Sequence, residues 1–316
     1  MASPPFSIFF APRTHSNIER LLHSLTPKVP LTPIPESCIQ DFNIMWNPTP
    51  KPMTTYFSLP DLWLSFEKWS AYGAKTKVMV NNQGDVDQFF VPSLSAIQIF
   101  TNKPHETIRR RKKKMSFKSL YCNPSDIYMQ SHDFLSKPYF EFNEKASPYN
   151  RPPLFDTIEK LSKSNPDLQT LTSLDLAPTS WMCVAWYPIC QIPYIGIPIK
   201  DFDAAFLTYH SLFSFNQDTA DKDNQSISLQ PFGCAAYKFQ GDVWLNHGQS
   251  DYMRLCDLHI AADYWIRDRG FEHHDFKFFS RQGGQPVAYA ETPLCYSFDN
   301  CGGYLLGPDP FSSNCF

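Results

Sequence analysis

The clearest pattern of apolar and polar positions along the chain is a helical one near its end. In SDYMRLCDLHIAADYWIRDRG, residues 250–270, apolar side chains recur every three or four positions. Ser250 is a good N-cap residue and Gly270 a good C-terminal stop, so we expect one long amphipathic helix. Its predicted buried face consists of Leu255, Leu258, Ala262 and Trp265.

Three shorter segments show the same helical period. The segment 16–25 has Ser16 and Glu19 at capping-box spacing, and Pro60 suits the first turn of a helix over 60–69. A third helix is predicted over 152–166, where Asn165 and a following proline end the pattern.

The most apolar stretch, SWMCVAWYPICQIPYIGIPIK at 180–200, is predicted to be a buried strand over 181–187. Residues 176–199 carry no charged side chain and are long enough to cross a bilayer. Four prolines within them would break a membrane helix at nearly every turn, so we expect no membrane span. After the strand, the prolines predict an extended segment that leaves the sheet.

Further strands are predicted over 86–100, 203–213 and 232–239. Pro92 in the first of them indicates a bulge or an edge position. Residues 240–242, Gln-Gly-Asp, predict a hairpin turn after the last. Strands that follow one another without intervening helices favour antiparallel pairing, so the predicted class is α+β: a largely antiparallel sheet covered by helices.

The predicted organisation is a single domain with additions at both ends and one insert. Residues 1–55 form an N-terminal arm with a short helix and a proline-rich connection, and 56–280 form the core. A basic insert occupies about 103–138, and residues 281–316, rich in Gly, Pro and Cys, form a flexible tail.

Charge and cysteine content narrow the class of protein. The net charge is −3, which gives no general reason to bind nucleic acid or an anionic membrane. The nine cysteines are odd in number and irregularly spaced, and residues 1–13 lack a basic segment before their apolar run. We therefore expect reduced thiols, no secretory signal, and a cytoplasmic or nuclear location.

One hypothesis for chemistry centres on His210. Strand alternation places His210 and Tyr209 on opposite faces of the strand 203–213. His210 would then be a general base in an apolar pocket, and a neighbouring strand would add Ser180 or Tyr187. The alternative is a core histidine that is hydrogen-bonded within the protein. Trp181, Trp186 and Tyr209 are the candidate ligand-binding residues of an aromatic groove.

Other polar clusters give weaker signals. His273, His274 and Asp275 would suit a metal or a proton relay, but contact with solvent or the helix dipole at a helix end is the preferred interpretation. Asp85 with Asp87 and Asp201 with Asp203 are read as solvated turn carboxylates. No cysteine pair has zinc-site spacing and no nucleotide-binding motif occurs, so we expect no metal and no cofactor.

The insert contains a strongly basic block. Between 103 and 118 there are eight Lys or Arg and one Glu. This block is interpreted either as a nuclear localisation signal or anionic-surface patch, with nucleic-acid contact possible, or as a merely solvated loop. Its core is Arg109, Arg110, Arg111, Lys112, Lys113 and Lys114.

Six ordered stretches resemble landmarks of a plant family, the domain of unknown function 789. They are SAYG (70–73), FFVPSLSAIQIFTNK (89–103), DLAPTSWMCVAWYPICQIP (175–193), FLTYHSLFS (206–214), PFGCAAYK (231–238) and HHDFKFF (273–279). The resemblance implies no activity, substrate or catalytic residue. It also implies an acidic, serine-rich insert, whereas the insert here is basic.

Two classes of function follow from the sequence. The first is a soluble binding or interaction module with an aromatic groove, whose partner is a small organic ligand or a protein, with specialised metabolism as one setting. The alternative is a cofactor-independent enzyme that acts on a small organic molecule through His210.

Overall fold

The computed structural model contains helices on both faces of one curled antiparallel sheet. It describes residues 16–35, 53–80, 84–101, 138–148, 151–191, 204–213, 225–239, 241–245 and 249–282. The strands described are β1 (Lys28–Pro30), β2 (Thr32–Pro35), β3 (Met53–Tyr56), β4 (Ala74–Val80), β5 (Gly84–Ile99), β6 (Phe140–Asn143), β7 (Trp181–Gln191), β8 (Ala205–Ser211), β9 (Ser226–Ser228) and β10 (Gly233–Tyr237). The α-helices described are α1 (Asn17–Ser24), α2 (Leu59–Tyr72), α3 (Leu154–Ser164), α4 (Gly241–Trp244), α5 (Gln249–Asp268) and α6 (His274–Gln282).

The main sheet runs in the order β10, β8, β7, β5, β4, and β6 pairs with the far end of β5. Every pairing in it is antiparallel. Two small pairs, β1 with β9 and β2 with β3, lie outside it. The predicted α+β class and antiparallel sheet are therefore confirmed.

β7 is the central strand, and both of its faces are covered. Val184 and Trp186 lie on what we call the first face, in the larger hydrophobic core cluster. Trp181, Cys183 and Ala185 lie on the second face, in the other cluster. An antiparallel strand with two buried faces needs apolar residues at consecutive positions, which explains the uninterrupted apolar run. Across the described residues, no helix has the length and apolar character needed to span a membrane.

Helices α1, α2 and α3 contribute to the larger core on the first face. The predicted capping box of Ser16 and Glu19 is present, and Pro60 lies in the first turn of α2. Trp63, buried in this core, donates its indole N–H to the carbonyl of Leu168 at 2.8 Å. The first face thus confirms three helices predicted from periodicity.

Helices α5 and α6 cover the second face. The closest approach is at Gly233 of β10, where an added Cβ would lie 2.9 Å from the Cβ of Ala262. Gly270, with a φ of 56°, ends α5 as predicted. Leu255 and Ala262 are buried, while Leu258 and Trp265 are partly buried.

Two residues, Pro92 and Asn17, leave few unsatisfied backbone groups where the sheet has no neighbouring strand. Pro92 pairs with Trp186 of β7 on one side, and on its other side neither β4 nor β6 extends to it. Asn17 of α1 hydrogen-bonds both the N–H and the carbonyl of Met79 in the edge strand β4. Pro92, which has no backbone N–H, therefore lies where no strand pairs with its outer side. The side chain of Asn17 makes the hydrogen bonds to Met79 that a neighbouring strand would otherwise make.

Two local predictions are wrong. Helix α4 begins at Gly241, within the turn expected at 240–242, because Trp244 packs in the first core against Phe90 and Phe206. Helix α5 begins at Gln249, so Ser250 lies inside its first turn. No element was predicted after Gly270, and the structure has helix α6 there.

The predicted arm, insert and tail are only partly within the described residues. Residues 16–35 of the arm dock through α1 and β1. Residues 1–15, 36–52, 102–137 and 283–316 lie outside the described residues.

We expect Gly233→Ala to lower the free energy of unfolding by about 1–3 kcal/mol, because its methyl group would overlap helix α5. Gly241→Ala is the matched control, since its nearest atom is Leu245 Cδ1 at 3.7 Å and the position is helical. Urea denaturation of both variants measures this difference. Equal stabilities would contradict the tight contact between β10 and α5.

Candidate functional site

A buried ion pair lies beneath α6 on the second face of the sheet. Arg151 donates two hydrogen bonds to Asp275, from Nη1 to Oδ2 at 2.5 Å and from Nη2 to Oδ1 at 2.7 Å. The two side chains are only 1% and 3% exposed. A charged pair so deeply buried requires this bidentate geometry, because each ion has lost its hydration.

The chain holds both partners in place locally. Arg151 lies just before α3, and its Nε and Nη2 donate to the carbonyl of Ala146 at 3.0 and 2.7 Å. Asp275 lies in the first turn of α6, where the helix dipole favours a negative charge.

A line of hydrogen bonds continues from Asp275 into the sheet. Ser95 of β5 donates its hydroxyl to Asp275 Oδ2 at 2.5 Å, and its oxygen lies 2.9 Å from Nε2 of His273. Nδ1 of His273 lies 2.8 Å from the hydroxyl of Tyr209 in β8. Four side chains from β5, β8 and the start of α6 thus form one continuous network, which we call the buried network together with Arg151.

The direction of these hydrogen bonds follows from donor chemistry. An ionised Asp275 can only accept, so the single proton of Ser95 points to it. Ser95 must then accept from Nε2–H of His273, and Nδ1 of that ring accepts from Tyr209. The network therefore fixes one tautomer of His273, with its proton on Nε2.

The protonation states are consistent with this direction. Burial lowers the pKa of His273 to about 4, so its ring is neutral near pH 7. Burial alone would raise the pKa of Asp275, but the hydrogen bonds and charge of Arg151 outweigh it and lower that pKa. A neutral imidazole beside an ionised carboxylate is the arrangement that the hydrogen bonds require.

Two further groups complete the network. Cys183 of β7 lies opposite Tyr209 of β8, and burial raises the pKa of both groups well above their ordinary values. At the other end, Tyr187 accepts from Arg151 Nη1 at 3.2 Å, and the guanidinium lies 5.9 Å from the centre of its ring. Tyr187 is partly exposed, so this end of the network approaches the surface.

The candidate catalytic residues do not come together. His210 is fully buried, with Nδ1 2.8 Å from the carbonyl of Leu229 and Nε2 2.8 Å from Thr208 Oγ1. Burial lowers its pKa to about 4. Ser180 exchanges hydrogen bonds with the backbone of Phe100, and Tyr187 lies on the opposite face of the sheet from His210.

Of the three candidate ligand-binding aromatics, two meet. The rings of Trp181 and Tyr209 stack with centres 5.9 Å apart on the second face. Trp186 lies on the first face, where its indole donates to Thr208 Oγ1 at 2.9 Å. The three therefore do not form a single groove.

A cleft opens at the end of the sheet, next to the buried network. It has a volume of about 560 Å³ and lies between β6 and the turn that joins α5 to α6. Its walls include Gln98, Glu141, Asn143, Thr179 and Arg269. We call it the end cleft.

Three residues of the end cleft carry buried polar atoms with no hydrogen-bond partner among the described residues. These atoms are Asn143 Oδ1, Thr179 Oγ1 and Arg269 Nε. Buried polar groups in native proteins are nearly always paired, with protein, water or a ligand. Three of the residues that line this cleft therefore carry an unsatisfied polar group: one acceptor, one donor and one hydroxyl.

One protein-family profile covers nearly all of the elements described above. The profile of a protein family of unknown function, DUF789, matches residues 16–133 and 115–279. The chain belongs to the DUF789 family. No curated protein and no solved structure matches it.

Most of the buried network comes from the six stretches that resemble DUF789 landmarks. Ser95, Cys183, Tyr209 and the pair His273 and Asp275 come from four of them. Arg151 lies outside all six.

The predicted solvated helix end at His273 and Asp275 is wrong, because both side chains are buried. The available signal was the apolar spacing of Phe276 and Phe279 after Asp275, which marks a further buried helix face. His274 is the exposed member of the three.

Of the remaining candidates, Asp85 and Asp87 lie within the described residues and form ion pairs. Asp85 pairs with Arg20 and Asp87 with Lys75. The described residues include no group of metal-binding side chains. The basic block at 109–114 and the pair Asp201 and Asp203 lie outside the described residues.

We expect Asp275→Asn to lower the free energy of unfolding by about 3–5 kcal/mol, because it leaves the Arg151 cation buried without a counter-ion. Glu272→Gln is the control: that side chain is 87% exposed, and its pair with Lys277 contributes little. Urea denaturation at pH 7 compares the two. A loss below about 1 kcal/mol in Asp275→Asn would show that the ion pair is hydrated in solution.

Proposed function

We propose that this DUF789 protein is a binding module and that its ligand is a small, neutral, hydroxylated molecule held in the end cleft. The observation that carries the proposal is that three of its lining residues each carry a polar atom with no hydrogen-bond partner among the described residues. A cleft of about 560 Å³ is within the size range of small-molecule sites.

The chemistry of the unpartnered atoms defines the ligand class. Arg269 Nε can donate a hydrogen bond, Asn143 Oδ1 can accept one, and the hydroxyl of Thr179 can do both. Hydroxyl groups match this combination because each both donates and accepts. Glu141 adds an acceptor, although its Oε2 already receives a hydrogen bond of 2.6 Å from Gln98.

The cleft is built on fixed elements, which favours binding with little reorganisation. Asn143 of β6 donates to the carbonyl of Glu272 at 2.7 Å and so ties the sheet to the α5–α6 turn. Gln98 accepts from the indole of Trp181 at 3.0 Å. Trp181, a predicted ligand-binding residue, therefore supports the cleft from beneath.

The alternative hypothesis, an enzyme that uses His210, stays a prediction from the sequence. No observation in the structure favours it, since both ring nitrogens of His210 are bonded inside the core. A nuclear role for the basic block at 109–114 likewise stays a prediction from the sequence.

The test uses Thr179→Val, which removes the hydroxyl and keeps the shape. We expect it to raise the free energy of unfolding by about 1 kcal/mol without ligand, because a buried unpaired hydroxyl is lost. The same change should weaken binding of myo-inositol, glucose or sucrose by about tenfold, through the loss of about 1.4 kcal/mol. Opposite effects on stability and binding are the signature of a site residue.

Saturation-transfer NMR on the full chain measures binding of these three probes, with Thr170→Val as the matched control. Thr170 is outside the cleft, and its hydroxyl donates to the carbonyl of Asp167 at 3.5 Å. The proposal is overturned if none of the probes binds the wild-type protein saturably, or if both variants bind equally well.

A further inference from the structure

A second concave surface lies at the edge strand β4 of the sheet, between α1, the outer face of β4 and α5. Its volume is about 770 Å³, again within the range of small-molecule sites. Leu22 and the aliphatic stems of the surrounding basic residues line part of it. We call it the α1 groove.

Basic side chains converge on the α1 groove from three elements. Arg20 and His23 are three residues apart on α1, so they share one helix face. Lys75 and Lys77 alternate with buried residues on β4, so both point outward. Arg254 extends to it from α5.

The acidic residues of the groove do not balance this charge. Arg20 pairs with Asp85 at 2.9 Å, and Arg254 pairs with Glu19 at 3.4 Å. The lining has four Lys or Arg side chains against two carboxylates, and Asp87 beside it neutralises Lys75, so the net charge of this surface is +1. The chain as a whole has a net charge of −3, so this surface is locally opposite in sign.

The cation of Lys77 is available to an anion. Lys75 is neutralised by Asp87 at 2.5 Å, whereas Lys77 has no ion-pair partner in the described part of the chain. The pair of Arg254 and Glu19 is long and its side chains are 51% and 35% exposed, so it contributes little and can rearrange.

We propose that the α1 groove binds a small organic phosphate. The phosphate is opposite in charge to this surface and would lie between Lys77 and Arg254. The organic part would pack on Leu22 and the side-chain stems. This site is separate from the end cleft and does not depend on what binds there.

The probe is phenyl phosphate, titrated by calorimetry into the full-length protein at physiological salt. The variant Lys77→Gln/Arg254→Gln removes both proposed contacts. The control Lys68→Gln/Arg267→Gln removes the same two charges from exposed positions outside the groove. All four side chains are on the surface, so thermal unfolding should show that both double variants fold.

We expect saturable binding by the wild-type protein, at least tenfold weaker binding by the groove variant, and a change below about twofold in the control. Two results would overturn the proposal. One is the absence of saturable binding to the wild-type protein. The other is equal weakening in the two double variants, which would show attraction by overall charge alone.

Discussion

The second face of this fold depends on one constraint, the need to satisfy a buried ion pair completely. Removing Arg151 and Asp275 from water costs several kcal/mol for each ion, and only close, well-directed hydrogen bonds offset that cost. Asp275 therefore needs Ser95 as well as Arg151, and Arg151 needs the carbonyl of Ala146. These requirements fix the start of α6 against β5 and against the segment before α3.

The same constraint extends to the surface. His273 and Asp275 determine where α6 begins, so they also position the turn between α5 and α6 that forms one wall of the end cleft. Trp181 connects the two regions, since it contacts Tyr209 and His273 on the buried side and donates to Gln98 at the cleft. The polar core and the candidate binding site are thus parts of one arrangement.

Local patterns predicted the elements whose signals are local. The period of α5 and the apolar run at 181–187 predicted a long helix and a buried strand, because both depend on residues close together in the chain. β4 was missed, since its alternating Lys and Thr are not an apolar signal. The prediction of a hairpin turn after β10 is wrong, because packing of Trp244 in the core outweighs the local turn preference.

The buried network could not be predicted in the same way. Arg151 and Asp275 are 124 residues apart, and nothing in their neighbours shows that they pair. His210 was considered for its chemistry, yet its environment depends on Leu229, which belongs to a different part of the chain. Strand alternation did place Tyr209 and His210 on opposite faces correctly, which is why only Tyr209 contacts the network.

The most direct test of the account is the protonation of His273, measured by ¹⁵N NMR of its imidazole ring at pH 7. The directed hydrogen bonds predict a neutral ring with its proton on Nε2 and an unprotonated Nδ1. A proton on Nδ1, or a ring that is cationic at pH 7, would contradict the network and the fixed position of α6 that depends on it.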